Sequence, residues 1–151
     1  MMEIKRILFP TDFSEGSSHA LEYAIDMAKR YGAKLYLLHV IYDVVKAGGL
    51  FIPHASLDEM YKDIEKAAKK EIDRYGLEQL RGQKDVQHTV LKGTPHEEIV
   101  KFAKDNRIDL IIMGSTIKKG VSRILFGSTA TPVVRHSPCP VLIVRLPMYQ
   151  E

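Results

Sequence analysis

Short apolar runs alternate along the chain with longer segments in which apolar residues recur at helical spacing. The runs that predict β-strands lie at residues 4–9, 35–41, 86–91, 110–113 and 141–144. Several of them are apolar at nearly every position, as expected for strands that are covered on both faces. Strands and helices alternating in this way predict an α/β fold with a doubly wound, mostly parallel five-stranded sheet and helices on both faces.

Capping residues indicate where the first two helices begin and end. Ser14 is the candidate N-cap of the first helix, with Asp12 as a competitor, and Gly32 is placed to end it. Ser56 and Glu59 have the spacing of a capping box, so the second helix is expected to begin after Ser56. Its apolar stripe comprises Met60, Ile64, Ala67, Ala68, Ile72 and Tyr75.

The last two helices carry prolines near their expected starts. Thr94 and Glu97 form a second capping box, with Pro95 at the first helical position, where its missing N–H group costs nothing. Gly127-Ser128 is expected to begin the last helix. Pro132 then falls within its first turns, where proline is tolerated but can move the start of the helix.

The tract at residues 42–56 interrupts the alternation and is interpreted as a loop. It contains Gly48, Gly49 and Pro53, which are typical of loops. Its apolar residues are Val44, Val45, Leu50, Phe51 and Ile52. These residues could form a lid or a dimer contact. Alternatively, they could belong to a surface loop with only local packing.

Composition and charge limit the classes of function. The 151 residues suit one domain, residues 1–151, and 45% hydrophobic with 27% charged residues is ordinary for a globular protein. No apolar run approaches the length that spans a bilayer, and the first residues lack the pattern of a secretory signal, so we expect no membrane partner. A net charge of +3, mixed along the chain, argues against nucleic acid as the main partner.

Cysteine and histidine usage adds two further expectations. The single cysteine, Cys139, permits no internal disulfide, which fits a cytoplasmic location. Cys139 lies between two prolines before an apolar strand, so we interpret it as a packed residue and not as a nucleophile. The six histidines show none of the spacings of a zinc site, and no metal held by the protein alone is expected.

Candidate chemistry follows the strands. In a doubly wound sheet, ligands bind outside the carboxyl ends of the strands, where the strand order reverses. The residues that end or follow the first, second and fourth strands, or open the last helix, include Pro10, Thr11, Asp12, His39, Val40, Met113, Gly114, Ser115, Gly127, Ser128 and Thr129. Asp12 can accept hydrogen bonds from ribose hydroxyls, and glycines beside a helix N-terminus suit phosphate. These features indicate a mononucleotide site only weakly when taken alone.

A longer motif carries a resemblance. Gly114 is followed after two residues by Ile117 and, after nine more residues, by Gly127-Ser128. This spacing resembles the signature of universal stress proteins, which has glycine where Ile117 stands. Segments 8–15, 37–40, 93–103, 108–115 and 133–144 also resemble that family in order and spacing. The similarity covers essentially the whole chain except the loop at 42–56.

The resemblance implies a fold, a ligand and roles for particular residues. The fold would be Rossmann-like, of the adenine-nucleotide α-hydrolase type, and the protein a small cytosolic stress-response module that binds ATP or a related adenine nucleotide. In nucleotide-binding members, the first strand's aspartate and the backbone after the second strand hold ribose and adenine. The glycine-rich loop and the Gly-Ser helix start hold phosphates, with Mg²⁺ bridging them. By this resemblance the site comprises Pro10, Thr11, Asp12, Val40, Met113, Gly114, Ser115, Gly127, Ser128 and Thr129.

Alternatives stay open beside this hypothesis. Asp12 could simply cap the first helix, and Lys118, Lys119 and Arg123 could form only a solvated loop. Ile117 in the place of a glycine supports a family member that binds no nucleotide and acts as a dimeric interaction protein. A third hypothesis is an enzyme with a related α/β nucleotide-binding fold. It is disfavoured because the loop after the first strand matches neither a Walker loop nor the catalytic loops of such enzymes. Any ATP hydrolysis is expected to be slow or partner-dependent, because no general base is evident.

The last strand predicts an assembly. Val141, Leu142, Ile143 and Val144 form an uncharged apolar run at the end of the chain, which is expected at an edge of the sheet. An exposed apolar edge pairs with another chain unless charge or proline blunts it. The sequence and the resemblance therefore both predict a two-fold homodimer centred on this strand, with other protein partners unknown.

Overall fold

In the part of the chain that the structure describes, five strands and four helices alternate in the order that the hydrophobic pattern predicts. The computed structural model describes residues 2–43, 54–83, 85–115 and 127–147. The elements are β1 Arg6–Pro10, α1 Glu15–Tyr31, β2 Lys34–Tyr42, α2 His54–Gln79, β3 Val86–Gly93, α3 Pro95–Asp105, β4 Leu110–Gly114, α4 Ala130–His136 and β5 Val141–Val144. None of the helices within these ranges is both long and apolar enough to cross a membrane.

The strands form one parallel sheet in the order β3-β2-β1-β4-β5. Each strand pairs in parallel with its neighbours, and β1 lies between β2 and β4. The strand order reverses beside β1, because successive strands are added on one side up to β3 and on the other side from β4 onward. The predicted doubly wound α/β fold is confirmed.

Two apolar layers cover the sheet, one on each face. Residues of α1 and α2 pack with one set of alternating strand positions, including Ile7, Phe9 and Leu37. Residues of α3 and α4 pack with the opposite set, including Leu8 and Leu38. The central strands are buried on both faces, which explains why their sequences are apolar at nearly every position.

The ends of α1 agree with the capping signals. Ser14 is the N-cap, and its Oγ accepts a hydrogen bond from the amide of Ser17 at 3.2 Å. Gly32 ends the helix with a left-handed φ of 63°, and the amide of Ala33 donates to the Ala28 carbonyl. Asp12 therefore does not cap α1, which leaves its carboxylate for another role.

The start predicted for α2 is wrong. The helix begins at His54, so Ser56 lies inside its first turn and does not cap it. A cap contributes about 1 kcal/mol, which the burial of a side chain such as Leu57 in that first turn can match.

The stripe predicted on α2 is also only partly buried. Ala68, Ile72 and Tyr75 are buried, whereas Met60 and Ile64 are exposed. A helix of 26 residues is about 39 Å long, while a strand of eight residues spans about 27 Å. The helix is thus longer than β3, and the exposed members of the stripe come earlier along it than the buried members.

The two proline-bearing helices differ from the prediction in their details. Pro95 is the first residue of α3 as expected, but the side chain of Thr94 makes no capping hydrogen bond. Helix α4 begins at Ala130 and not at Gly127-Ser128. The reason is Pro132, which has no N–H group and fits only within the first turn, where amides have no intrahelical partner.

A backbone contact between α1 and β4 depends on two glycines. A Cβ atom on Gly114 would lie 2.6 Å from the carbonyl oxygen of Gly16, and a Cβ atom on Gly16 would lie 2.7 Å from the carbonyl oxygen of Ser115. Real Cβ atoms do not come so close to backbone atoms. The first turn of α1 therefore lies directly against the end of β4 with no side chain between them.

We expect Gly114→Ala to destabilise the protein more than Gly93→Ala does. At Gly93 the added Cβ atom would meet only the side chain of Glu98, which can rotate, whereas at Gly114 it would meet backbone. Overpacking of this kind typically costs about 1–3 kcal/mol. Urea unfolding of both variants measures the difference, and equal losses would contradict the tight contact at Gly114.

Candidate functional site

An apolar cavity opens at the carboxyl edge of the sheet, where the strand order reverses. Its volume is about 110 Å³, and it lies between the ends of β1, β2 and β4 and the first turns of α3 and α4. Leu38 and Val40 come from β2, Ile99 from α3 and Met113 from β4. Whole small-molecule ligands occupy pockets of roughly 300–1,000 Å³, so this cavity suits one ring system of a larger ligand.

Asp12 supplies an anionic group to the lining of this cavity. Its Oδ1 accepts hydrogen bonds from the hydroxyl of Ser17 at 2.7 Å and from the amide of Ser14 at 2.9 Å. Both of these hydrogen bonds are made to Oδ1 and not to Oδ2. The residue is exposed, so one oxygen is fixed by the protein while the other can accept from a ligand.

The environment of Asp12 keeps its carboxyl group ionised. Loss of part of the water around the carboxyl group by itself raises its pKa, but the hydrogen bonds from Ser14 and Ser17 together outweigh that effect and leave the pKa below its ordinary value of 3.8. The carboxylate is therefore a hydrogen-bond acceptor at neutral pH. A vicinal pair of ribose hydroxyls is a donor group of the kind that such an acceptor binds.

The loop that carries Asp12 has an unusual backbone. Phe13 has a φ of 64°, in the left-handed region that a bulky residue rarely adopts. The amide of Phe13 donates to Thr11 Oγ1 at 3.0 Å, and the amide of Thr11 donates to the Leu38 carbonyl at 2.8 Å. The loop after β1 is thus a fixed turn held by its own side chains and by β2.

The structure brings most of the predicted site residues together. The predicted residues that line the cavity are Pro10, Thr11, Asp12, Val40, Met113, Gly114 and Thr129. Ser115 is buried beside it, and its amide donates to the carbonyl of Val144 at 2.9 Å. Gly127 and Ser128 come directly before the lining residue Thr129 in the chain but do not line the cavity themselves. Ile117 and the cations Lys118, Lys119 and Arg123 lie outside the described residues, as do the loop residues Val44, Val45, Leu50, Phe51 and Ile52.

Sequence reasoning missed the contribution of α3 to the cavity. Pro95 and Ile99, from the first two turns of this helix, line part of the cavity wall. The signal was present, because the third strand also ends at this edge and is followed at once by the Thr94-Pro95 helix start. Ser17, His39 and Ala130 complete the lining.

Cys139 and the metal-ligating residue types provide no second site. Cys139 packs against the α3 and α4 layer, and burial raises the pKa of its thiol above the usual value. A protonated thiol is a poor nucleophile, which agrees with the packed interpretation. In the described ranges, no group of three or more His, Cys, Asp or Glu residues could hold a metal ion.

Comparison with protein families decides the identity of this fold. The model of the universal stress protein family matches residues 3–145, which include every strand and helix described above. The chain belongs to the universal stress protein family. The spacing of Gly114 and Gly127-Ser128, which resembled the signature of this family, is thus part of a match along nearly the whole chain.

Individual members of this family resemble the chain in sequence and in structure. Universal stress protein MJ0531 of Methanocaldococcus jannaschii is 38% identical over 149 residues, covering 95% of this chain and 83% of that protein. The solved structure of MJ0577 from the same organism is 33% identical, with a TM-score of 0.82 over 97% of this chain and 99% of its own. A universal stress protein solved in complex with cAMP is 25% identical, with a TM-score of 0.65 over 95% of this chain and 98% of its own.

The lowered pKa of Asp12 predicts a pH-dependent contribution to stability. A carboxyl group whose pKa is depressed by folding stabilises the protein above its unfolded pKa, and this contribution is lost as the pH falls through the folded pKa. We expect Asp12→Asn, which keeps the Oδ1 acceptor but cannot ionise, to be less stable than the wild type at pH 7. That difference should shrink when urea unfolding is repeated near pH 3, and a difference independent of pH would contradict the role of the charge.

Proposed function

We propose that this protein is a stress-response module that binds ATP or a related adenine nucleotide at the carboxyl edge of its sheet. The observation that carries the proposal is the apolar cavity at the strand-order reversal, with the ionised carboxylate of Asp12 in its lining. Open α/β sheets bind ligands at this topological position. The cAMP complex of a universal stress protein supports an adenine nucleotide as the ligand class.

The shape of the cavity suggests how the nucleotide is divided among the residues. The adenine base would occupy the apolar space between Val40, Ile99 and Met113, whose volume of about 110 Å³ is too small for a whole nucleotide. The ribose would then lie at Asp12, whose Oδ2 can accept from its hydroxyls. Pro10, Thr11 and Gly114 would shape the entrance around it.

The phosphates would leave the cavity on the side of α4. By the family resemblance they would meet Gly127, Ser128 and Thr129, with Ser115 and the Gly114 backbone behind them, and Mg²⁺ bound with the nucleotide would neutralise part of the phosphate charge. Thr129 lines the cavity and stands at the N-cap of α4, which agrees with this direction. We propose that the function is nucleotide binding in the cytoplasm. Any ATP hydrolysis would be slow or would depend on a partner protein.

We expect ATP with Mg²⁺ to raise the melting temperature of the purified protein. Binding to the native state alone stabilises it by about 2.7 kcal/mol when free ligand is a hundredfold above Kd. Asp12→Ala should weaken ATP binding about tenfold or more, because a hydrogen bond to a charged group contributes about 1.5–3 kcal/mol. Isothermal titration calorimetry measures both values of Kd.

Asp26→Ala is the matched control for this prediction. Asp26 lies on an exposed face of α1 and pairs with Arg30 at 2.7 Å, away from the cavity lining. Its loss should leave ATP affinity unchanged. A wild-type melting temperature that does not move in millimolar ATP, GTP or cAMP would overturn the proposed function and favour the dimeric interaction protein instead.

We also propose that the protein forms a homodimer through β5. The observation that favours this assembly is the position of β5 at one edge of the sheet, with Leu142 exposed and Val141 and Ile143 only partly buried. The amides of Ile111 and Ser115 donate to the carbonyls of Pro140 and Val144. Because backbone groups alternate along a strand, those of Val141 and Ile143 point to the free edge.

This alternation makes Ile143→Pro a sharp test of the dimer. The substitution removes an amide that points away from β4, so it blocks antiparallel pairing with a second copy while the β4 ladder is kept. Sedimentation at micromolar concentration should show a wild-type dimer and a monomeric Ile143→Pro variant with unchanged circular dichroism. Ile143→Ala, which retains the amide, should remain dimeric, and a monomeric wild type would refute the assembly.

A further inference from the structure

We propose that His39 and Phe13 are positioning residues of the nucleotide site, which hold the loop after β1 in the shape that presents Asp12 to the ribose. The inference rests on the proposed function for its ligand, and on the contacts of the described residues for its mechanism. Neither side chain is assigned a role by the motif. Phe13 packs against the core layer of α1 and α2, and His39 contacts Phe13 on that side of the sheet while also reaching the lining of the cavity.

The imidazole of His39 is tied to the loop by a hydrogen bond. Strand alternation places His39 on the same face as Leu37, which belongs to the core layer of α1 and α2. Its Nδ1 lies 2.8 Å from the carbonyl oxygen of Thr11. A carbonyl can only accept, so Nδ1 carries the proton and donates it in both the neutral and the protonated ring.

This bond completes the attachment of Thr11 to β2. The amide of Thr11 donates to the Leu38 carbonyl at 2.8 Å, while its carbonyl accepts from His39, the next residue of the strand. The peptide groups on both sides of Thr11 are therefore fixed by two consecutive residues of β2. Asp12 follows directly, so the direction in which its side chain leaves the backbone depends on this attachment.

Phe13 supports the loop from the other side of Asp12. Its left-handed φ of 64° turns the chain sharply, so that the Ser14 amide points back at Asp12 Oδ1. Its ring packs on His39 with a centroid separation of 4.5 Å and on Tyr75 with one of 5.4 Å. An uncommon backbone conformation persists only where the surroundings enforce it, and these two rings are such surroundings.

Tyr75 anchors the aromatic stack to the rest of the fold. It is buried on α2, and its hydroxyl lies 2.7 Å from Ser18 Oγ on α1. Supports from β2, α1 and α2 thus converge on a single four-residue turn. Ordinary core packing requires apolar contact alone, whereas this arrangement adds a donor aimed at the backbone beside Asp12.

The test compares two substitutions of His39. His39→Asn keeps a side-chain donor at about the place of Nδ1 but loses the ring, while His39→Leu keeps an apolar side chain of similar size without the donor. The first measurement needs no nucleotide and is a ¹³C NMR titration of the Asp12 carboxyl group. We expect His39→Leu to move the Asp12 pKa from its lowered value back toward 3.8, and His39→Asn to leave it near the wild-type value.

The second measurement compares ATP with 2′,3′-dideoxy-ATP by calorimetry. His39→Leu should weaken ATP binding about two- to thirteenfold, which corresponds to the net contribution of one hydrogen bond of about 0.5–1.5 kcal/mol. The dideoxy analogue has no ribose hydroxyls for Asp12 to bind, so its affinity should be nearly the same in the wild type and in His39→Leu. His39→Asn should restore most of the affinity for ATP.

The outcomes separate this inference from the proposed function. An Asp12 pKa that is unchanged in folded His39→Leu overturns the positioning role whether or not nucleotide binds. An equal loss of affinity for ATP and its dideoxy analogue also overturns it, because the damage would then be general. A wild type that binds no nucleotide overturns the proposed function, while the NMR titration still decides whether His39 shapes the loop.

Discussion

The contact between the first turn of α1 and the end of β4 fixes the geometry of the site. Gly16 and Gly114 let two backbones approach closely, and no other residue type fits there without movement of the chain. This approach places the Asp12 loop, which lies between β1 and α1, beside the carboxyl end of β4. The same contact thus sets the width of the crevice at the strand-order reversal. A wider separation would leave Asp12 too far from the apolar cavity for one ligand to reach both.

The sequence predicts the order of elements well because burial on both faces leaves a strong apolar signal. Residues 35–41 and 110–113 have few positions that could face water, and both became central strands. Helix starts were predicted less well, because a capping bond contributes only about 1 kcal/mol and tertiary contacts of similar size compete with it. Ser56 therefore does not cap α2. The later start of α4 follows from the covalent geometry of Pro132, a residue that is visible in the sequence.

The candidate site was predictable to the extent that topology alone determines it. Pro10, Asp12, Val40 and Met113 follow or end parallel strands, so the fold class brings them to one edge without knowledge of any side-chain contact. The left-handed Phe13 is different. Nothing local favours that conformation for a phenylalanine, and it depends on rings supplied from β2 and α2, far away in the chain. Sequence patterns indicate local backbone preference and burial. They do not indicate a backbone conformation that depends on contacts with residues far away in the chain.

The two edges of the sheet differ in the polarity of their side chains, which bears on the proposed assembly. At one edge, β3 carries the polar residues Gln87, His88 and Thr89, and at the other, β5 is uniformly apolar. A protein that pairs with other copies through both edges of its sheet can grow into a filament. A protein that pairs through one edge stops at a dimer. Because the β3 edge carries polar side chains, we expect the proposed association through β5 to stop at two molecules.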